Sequence, residues 1–367
     1  MSVKLEYRFV AGVAEAPPAA ALQLQNPLLA MLDAIRVQGS IGKAATQLGL
    51  SYRHLWGELK KHEAIFGQAL LASGQGRAAR LSAFGERLLW AEKRILARLL
   101  PQAESLAGQL DRELLLAVDP GLALLPACAS HDLLFGVLRD ALLGGARVLL
   151  DVEYVGSTRA LERLNAGACT VAGIHLPLDD ERLCRRGSRI HLALGCELRL
   201  GVHKLIRFAR REQGLIVAPG NPLGLVSLND LARPGVVFVN RLRGCGTRLM
   251  FDELLARANV PPAAVAGYDT EEPTHLSVAA NVAAGSASCG FGLRAAAARF
   301  GLDFVPLAHE QYFLVCLKDA LDTAAMEAVI GVLRSADFRR LAGAVPGYDA
   351  EAAGEIVSLR RTLPWYK

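Results

Sequence analysis

Four short turns in the second half of the chain carry side chains suited to binding an anion. Each turn follows an apolar run and precedes a helical pattern, so its Ser, Thr and Gly residues stand where a helix begins. The first N–H groups of a helix have no partner within it and lie at the positive end of its dipole, which favours anions. The residues that we predict to bind a ligand there are Ser130, His131, Ser157, Thr158, Gly244, Cys245, Gly246, Thr247, Arg248, Thr274 and His275.

A structural role explains any single turn of this kind equally well. Ser and Thr are ordinary helix caps, worth about 0.5–2 kcal/mol to the helix and nothing to a ligand. The turn at 244–248, Gly-Cys-Gly-Thr-Arg, favours a ligand because its two glycines allow close approach of the backbone. Arg248 suits a bound anion or a neighbouring carboxylate, and His131 and His275 suit either an oxyanion or a structural role.

A second set of side chains, near the N-terminus, is suited to contacts with DNA. Two helices that begin at Ser40 and Ser51 and are separated by a turn at Gly49 form a helix-turn-helix. The second helix presents its first turns to the major groove, and a Gly-rich tip within 69–82 predicts a basic hairpin wing. The predicted base and phosphate contacts are Ser40, Ser51, Tyr52, Arg53 and His54, with Lys60, Lys61, Arg77 and Arg80 contacting the DNA backbone.

Helical periodicity dominates the part of the chain that positions these DNA contacts. The three helices are predicted at 28–38, 41–49 and 52–66, with Leu55, Leu59 and Trp56 facing inward. A longer amphipathic helix follows at 82–110 and suits a dimer interface. Pro101 predicts a kink or a break in that helix.

The pattern changes at about residue 113, where short apolar runs begin to alternate with helical stretches. Such runs are typical of strands buried on both faces, and their alternation with helices predicts parallel α/β units. The strands are expected at 114–118, 147–155, 170–176, 214–218, 236–240 and 313–317. The carboxyl ends of parallel strands meet at one edge of a sheet, so the four turns are expected to face one cleft.

Composition and length narrow the class of protein. The chain has 367 residues, 52% hydrophobic and 21% charged, which suits two or three folded domains and excludes disorder. No apolar run approaches the ~18 residues of a membrane span and no secretory signal is recognisable, so we expect a cytoplasmic protein. The seven cysteines show neither zinc nor disulfide spacing, and we expect all of them to be buried thiols.

The net charge of +5 is concentrated in one quarter of the chain. Residues 26–112 hold twelve Lys and Arg against seven Asp and Glu, which accounts for the whole excess. A basic quarter joined to a neutral remainder predicts an anionic partner for the first part only. The competing interpretation of this part is a helical bundle with solvated basic faces.

Two N-terminal segments resemble a known DNA-binding module. GSIGKAATQLGLSYRHLW (39–56) and LSAFGERLL (81–89) resemble the winged helix-turn-helix of LysR-type regulators, above all the molybdate-responsive ModE branch, in which a Ser-Tyr start and a Trp in the third helix recur. The resemblance covers about 26–112. It implies double-stranded operator DNA as a partner, a homodimer or homotetramer, and contact with RNA polymerase.

Segments farther along resemble a sensor domain. Residues 154–176, 211–222, 238–248 and 274–315 are similar to the periplasmic-binding-protein-like domain of molybdate- and tungstate-related regulators and of some molybdenum-cofactor proteins. Where that family usually has Gly-Ser-Gly-Thr-Arg, Cys245 removes one hydroxyl donor, which leaves room for a small anion other than molybdate. Such families often regulate molybdenum-dependent enzymes such as formate dehydrogenases, so formate also belongs among the candidate effectors.

Together these features predict an α/β protein with an all-α-rich N-terminal part. We expect a winged helix-turn-helix over 1–81, a linker or dimerisation helix over 82–112, a two-lobed type II periplasmic-binding-protein-like domain over 113–350 and a C-terminal tail over 351–367. The predicted function is transcription regulation by a small anion, with no catalytic residue, metal or cofactor. The alternatives are a molybdenum-cofactor-related enzyme and an anion carrier, although no nucleophile–base pair, paired-carboxylate motif, Walker loop or zinc spacing is found in the sequence.

Overall fold

The computed structural model describes residues 26–72, 78–177 and 179–366, which form a helical N-terminal part, a long helix and a two-lobed α/β part. The α-helices are α1 (Pro27–Gln38), α2 (Ile41–Gln47), α3 (Tyr52–Phe66), α4 (Ala83–Val118), α5 (Leu134–Ala146), α6 (Ser157–Asn165), α7 (Arg189–Leu194), α8 (Gly246–Arg257), α9 (His275–Ala283), α10 (Arg294–Arg299), α11 (Ala324–Arg334), α12 (Ala336–Gly343) and α13 (Leu359–Thr362). The strands are β1 (Ala123–Ala129), β2 (Val148–Tyr154), β3 (Val171–Leu176), β4 (His203–Val217), β5 (Phe238–Arg241), β6 (Glu271–Glu272), β7 (Cys289–Leu293), β8 (Asp303–Leu317), β9 (Tyr348–Asp349) and β10 (Ile356–Ser358).

Local capping sets the bounds of the three N-terminal helices. Ser40 Oγ accepts a hydrogen bond from Lys43 N–H at 3.4 Å, and Ser51 Oγ accepts one from His54 N–H at 3.1 Å. Helix α1 ends at Gly39 with φ 60°, in the left-handed region that glycine adopts without strain. The predicted helix-turn-helix is confirmed, with its caps at the expected residues.

A short antiparallel pairing follows α3. Leu71 bridges Leu81, and Ala72 N–H donates to the Arg80 carbonyl at 2.9 Å. These contacts form the two arms of the predicted wing. Its predicted tip, with Arg77, lies outside the described residues.

Helix α4 is longer than the sequence indicated. It continues through Pro101 without the break that the proline suggested, and it ends at Val118. The predicted strand at 114–118 is therefore wrong, because this segment forms the last turns of α4. A run of five apolar residues carries too little periodicity to distinguish a helix end from a buried strand.

One sheet runs through both lobes in the order β2-β1-β3-β8-β4-β7-β5-β6. In the first lobe β1 pairs in parallel with β2 and β3, and in the second β5 pairs in parallel with β6 and β7. The two lobes are joined by the antiparallel pair β4 and β8, each fifteen residues long. The parallel expectation is thus wrong for the strands predicted at 214–218 and 313–317, which are the ends of this pair.

Separate apolar cores support the two lobes and the N-terminal helices. This arrangement confirms the predicted fold class, a winged helix-turn-helix followed by a two-lobed α/β domain. Residues 351–366 are not a detached tail, because β10 pairs with β4 and Trp365 packs into the core of the first lobe. Six cysteines are buried, whereas Cys196 is exposed, contrary to expectation.

Candidate functional site

Three of the four predicted turns contribute to one cluster where the lobes face each other, and two of them approach each other closely. A Cβ atom added to Gly156, before α6, would lie 3.1 Å from the Gly244 carbonyl oxygen, before α8. A Cβ atom added to Gly246 would lie 2.9 Å from Nδ1 of His175 in β3. A side chain at either position would crowd its neighbour, which is the Gly244 backbone for Gly156 and the His175 side chain for Gly246.

Three of the predicted ligand residues join one buried polar cluster at this point. Ser157 Oγ lies 3.3 Å from His175 Nδ1, and Thr247 Oγ1 lies 3.4 Å from His275 Nε2. Gln213 Nε2 donates to Thr247 Oγ1 at 3.3 Å. Neither His175 nor Gln213 was predicted from the sequence. A polar residue in the otherwise apolar strand β3 is a signal that could have identified His175, whereas Gln213 follows several charged residues of β4 and carries no such signal.

Arg241, at the end of β5, is the most informative residue of the cluster. Its side chain is 6% exposed and donates through Nη2 to the Pro273 carbonyl at 2.8 Å. Its Nε and Nη1 have no hydrogen-bond partner, and no described carboxylate forms an ion pair with it. No role was predicted for Arg241 from the sequence; the signal that could have identified it was a charge at the end of a buried strand.

The charge of Arg211, in contrast, is balanced by two carboxylates. Its guanidinium contacts Asp132 at 2.5 Å and also pairs with Glu310. The ring of Tyr312 lies 4.7 Å from the guanidinium carbon. Burial lowers the pKa of Arg211, but the charges of Glu310 and Asp132 raise it by more than burial lowers it. This arginine therefore has a structural role.

Both histidines of the cluster are neutral at physiological pH. Burial lowers the pKa of His175 well below its usual 6.5, and the positive charges of Arg211 and Arg241 lower it further. Burial and the same two arginines lower the pKa of His275 in the same way. Each neutral ring keeps one donor and one acceptor, and His175 Nε2 and His275 Nδ1 have no partner among the described atoms.

We expect these histidines to make the protein less stable in mild acid. As the pH falls below about 6.5, the unfolded chain takes up protons that the folded chain does not, so the free energy of unfolding falls. The loss is up to about 1.4 kcal/mol per pH unit for each such histidine. Thermal unfolding between pH 7.5 and 5.5 should show a shallower slope for His275→Gln than for the wild type; equal slopes would contradict the neutral assignment.

Of the other residues predicted in these turns, Arg248 and Ser130 have structural partners. The Arg248 guanidinium binds Asp252 at 2.9 Å and Glu271 at 3.1 Å. Of the two roles predicted for Arg248, the structure therefore shows pairing with a neighbouring carboxylate. Ser130 Oγ donates to the Val155 carbonyl at 3.3 Å. Cys245 is buried at the start of α8, and Thr158 is half-buried in the first turn of α6.

Two of the predicted ligand residues, His131 and Thr274, contact helix α4. His131 Nε2 lies 3.1 Å from Glu104 Oε2, and Thr274 Oγ1 donates to the Ala97 carbonyl at 2.9 Å. The Ala97 carbonyl is free to accept because Pro101, four residues later, has no N–H to offer it. The proline therefore creates the acceptor that binds α4 to the N-terminus of α9.

A further ion pair joins α4 to the same segment. Arg98 Nε donates to Glu272 Oε2 at 2.8 Å, and the Glu272 carboxylate is buried. Between Glu272 and Thr274 lies Pro273, whose carbonyl accepts from Arg241. One extended segment thus contacts α4 through two residues and the polar cluster through the residue between them.

This contact gives a test by double-mutant cycle. Thr274→Val is expected to lower the free energy of unfolding by about 1–2 kcal/mol, since the buried Ala97 carbonyl loses its donor. In a Pro101→Ala background the restored helix N–H satisfies that carbonyl, so the same substitution should cost less. The loss of the α9 cap is common to both backgrounds and cancels, and Thr274→Ser serves as the control. Equal costs in the two backgrounds would show that the Ala97 contact contributes nothing.

The first turn of α3 presents the predicted DNA contacts to the outside. Tyr52, Arg53 and His54 are exposed, whereas Leu55 and Leu59 are fully buried, as expected. Trp56 was expected to face inward, but it is 37% exposed and stacks on Tyr52, with 6.4 Å between ring centroids. Position 56 follows a buried leucine and therefore turns away from the core at helical spacing.

The basic residues near α3 are also at the surface. Lys60 pairs with Glu63 at 2.7 Å and lies 4.6 Å from the Trp56 ring, and Lys61 contacts Glu58 at 3.5 Å. Arg80, on the wing, is exposed. Ser40 and Ser51 have their side chains engaged as caps, so only their remaining hydrogen-bonding capacity is open to DNA.

The two parts of the chain match known protein families. Residues 142–334, more than half of the chain, match the family described as a PBP superfamily domain. The chain belongs to this family. Residues 27–86 match the bacterial regulatory helix-turn-helix proteins of the lysR family, so a LysR-type DNA-binding domain precedes the PBP domain. The chain therefore combines a segment that matches the lysR family helix-turn-helix with a PBP superfamily domain, and neither match names a ligand.

Two relatives of this chain are named as uncharacterized proteins. The chain is 32% identical to the uncharacterized protein YvgK of Bacillus subtilis (strain 168) over 205 residues, which are 56% of this chain and 64% of that protein. It is 29% identical over 111 residues to an uncharacterized protein in the 5′ region of a 2Fe-2S ferredoxin gene of Clostridium pasteurianum. That match covers 30% of this chain and 98% of the relative.

Solved structures of similar architecture are distant. An H₂O₂-bound cysteine-to-serine mutant of Corynebacterium glutamicum OxyR is 17% identical, with 87% of this chain and 93% of that chain covered and a TM-score of 0.45. CbnR, a LysR family transcriptional regulator, in complex with its target DNA is 18% identical, with 83% and 98% covered and a TM-score of 0.40. Likeness at this level carries no argument about ligand or function. Among the helices of the described ranges, none is long and apolar enough to cross a membrane.

Proposed function

We propose that the protein is a cytoplasmic transcription regulator that binds operator DNA through α3 and the wing and senses a small anion at Arg241. The observation that carries the sensor half is the buried guanidinium of Arg241, which has two free donor atoms and no carboxylate partner among the described residues. Arginine stays protonated in proteins, and an unpaired buried charge costs several kcal/mol. A bound anion compensates that charge.

The surrounding groups suit a small anion held between the lobes. Ser157 belongs to the first lobe, Thr247 and His275 belong to the second, and all three reach the same cluster. Molybdate, tungstate and formate are the candidates from the sequence, and Cys245 removes a hydroxyl that tetrahedral oxyanions would use. Because the ligand contacts both lobes, it favours their closed arrangement by its difference in affinity for the two arrangements.

Helix α4 provides the route from the sensor to the DNA. It begins directly after the wing and is fastened to the segment 272–274 that also contacts Arg241. A shift of that segment when the anion binds moves α4, and with it the position of the DNA-reading helices. Coupling of this kind makes anion and operator affinities depend on each other reciprocally.

The exposed apolar face of α4 supports self-association. Ile95, Leu106, Leu110 and Leu114 are each about half exposed or more, and the last three recur every four residues. Such a stripe suits packing against the same helix of a second copy, in a homodimer or homotetramer. This oligomer would then contact the operator and RNA polymerase. Leu110→Glu is expected to shift the protein to monomers in sedimentation equilibrium, while Arg112→Glu, outside the stripe, should not. An unchanged mass for Leu110→Glu would place the interface elsewhere.

A thermal-shift screen tests the sensor assignment. The full-length protein is heated with molybdate, tungstate, sulfate, phosphate, thiosulfate and formate. An anion present at 100 times its Kd stabilises the folded state by about 2.7 kcal/mol. A shift that also changes DNA affinity supports the proposal; stabilisation by none of the anions contradicts it.

A further inference from the structure

We propose that the effector carries a hydrogen-bond donor as well as a negative charge, and that Glu310 and Gln213 select for this donor. The inference rests on the proposed anion site at Arg241. It assigns the effector to small anions that keep a hydrogen on oxygen or nitrogen, such as hydrogenphosphate, hydrogencarbonate or a hydroxycarboxylate. Fully deprotonated oxyanions such as sulfate and molybdate are then bound less tightly.

Two fully buried acceptor atoms of the cluster have no donor. Glu310 is 1% exposed and Gln213 is 0% exposed. Glu310 Oε1 accepts from Arg211 and, at 2.9 Å, from Gln213 Nε2. Glu310 Oε2 and Gln213 Oε1 are left without a partner among the described residues. Buried acceptors are normally satisfied, so this pair marks a place where a donor from outside the chain fits.

The orientation of the Gln213 amide follows from its neighbours. Its Nε2 faces a carboxylate oxygen of Glu310, which can only accept. Turning the amide over would place two acceptors against each other. The unpartnered atom of Gln213 is therefore its oxygen, and the donor must come from the ligand.

These acceptors belong to the same cluster as the anion-binding donors. Gln213 Nε2 also donates to Thr247 Oγ1, which in turn contacts His275. His275 lies two residues after Pro273, whose carbonyl accepts from Arg241 Nη2 at 2.8 Å, so the contacts of Gln213 with Thr247 and of Thr247 with His275 connect the acceptor pair to the Arg241 site. A ligand at Arg241 therefore meets a buried carboxylate as well as a cation.

The chemistry of this pair discriminates between anions of equal size. An anion without hydrogen offers only acceptors. It leaves Glu310 Oε2 and Gln213 Oε1 without a donor, and its negative charge is repelled by the Glu310 carboxylate. An anion that retains a proton donates a hydrogen bond through it to one of these oxygens. Sites built to hydrogen-bond a substrate hydrogen reject analogues that lack it strongly, and we expect a preference of about 100-fold or more.

Isothermal titration calorimetry on the full-length protein at pH 7 tests this with matched anions. The pairs are phosphate and sulfate, hydrogencarbonate and nitrate, and glycolate and acetate, in which only the first member has a donor. The expected result is tight binding by the donor member of one pair and at least about 100-fold weaker binding by its counterpart. If sulfate, nitrate or acetate binds as tightly as its counterpart, this inference fails and the anion site stands. If no anion binds, the proposed sensor function fails too.

Glu310→Gln assigns the preference to a residue. The amide keeps an oxygen for Arg211 and adds an N–H donor, so the ratio of affinities should move at least about tenfold toward the member without a donor. Glu212→Gln is the matched control, because Glu212 pairs with Arg294 outside the cluster. If Glu310→Gln does not fold, Gln213→Leu removes the neutral acceptor and should lower the same ratio. A variant that folds and keeps the wild-type ratio would overturn the assignment.

Discussion

Arg241→Met is expected to weaken anion binding strongly and to raise the stability of the unliganded protein at the same time. Removing one partner of a buried charge pair costs about 2–5 kcal/mol of binding, a loss of about 30-fold to several thousand-fold in affinity. Without the anion, the substitution removes an unpaired buried charge and should add at least about 1 kcal/mol to the free energy of unfolding. Thermal unfolding with and without the anion that gives the largest wild-type shift measures both effects.

The matched control for this experiment is Arg248→Met, the same chemical change a few residues away. The Arg248 guanidinium binds Asp252 and Glu271, so its loss leaves two carboxylates without their cation. This variant should be less stable than the wild type, opposite in sign to Arg241→Met. If both variants lose stability equally, the charge of Arg241 is compensated in the unliganded protein and the proposed site is wrong.

Arg53→Ala should weaken binding to the operator far more than binding to random DNA. Arg53 is exposed in the first turn of α3, where side chains reach base edges in the major groove. A bidentate contact to a base contributes about 1–3 kcal/mol, so the expected loss is about 5–150-fold on the selected site. Fluorescence anisotropy on a sequence obtained by iterative selection, and on random duplex of equal length, measures the ratio.

Lys61→Ala distinguishes base reading from simple attraction to phosphate. Lys61 is exposed on the same helix and contacts Glu58 at 3.5 Å. Its loss should weaken binding to both DNAs by a similar factor and lower the dependence of affinity on salt. Equal losses on both DNAs for Arg53→Ala would remove it from the base contacts.

The N-terminal helices show how much local residues decide. Gly39, Ser40 and Ser51 delimit α1, α2 and α3 because caps act over three or four residues of backbone. Their bounds could therefore be predicted. The outward position of Trp56 could not, because a large aromatic side chain suits a core as well as a surface stack with Tyr52.

Predictions that depended on distant partners were less successful. An apolar run reveals burial but not the direction of a strand, so the antiparallel pairing of β4 with β8 did not follow from it. Arg248 and Arg241 stand seven residues apart in one motif, and their sequence context does not show which is paired. Asp252 and Glu271 form ion pairs with Arg248 and not with Arg241, and the fold alone places both carboxylates beside Arg248.

The sequence by itself determined the helix-turn-helix, the basic character of the N-terminal quarter and the turns of the candidate anion site, because these depend on neighbouring residues. Tertiary structure alone decided that His175, Gln213, Arg241 and Glu310, from four separate strands, share one buried cluster, and that Pro101 frees a carbonyl for Thr274. Those outcomes depend on which groups lose water together and which partners they then find, and residues far apart in the chain settle both.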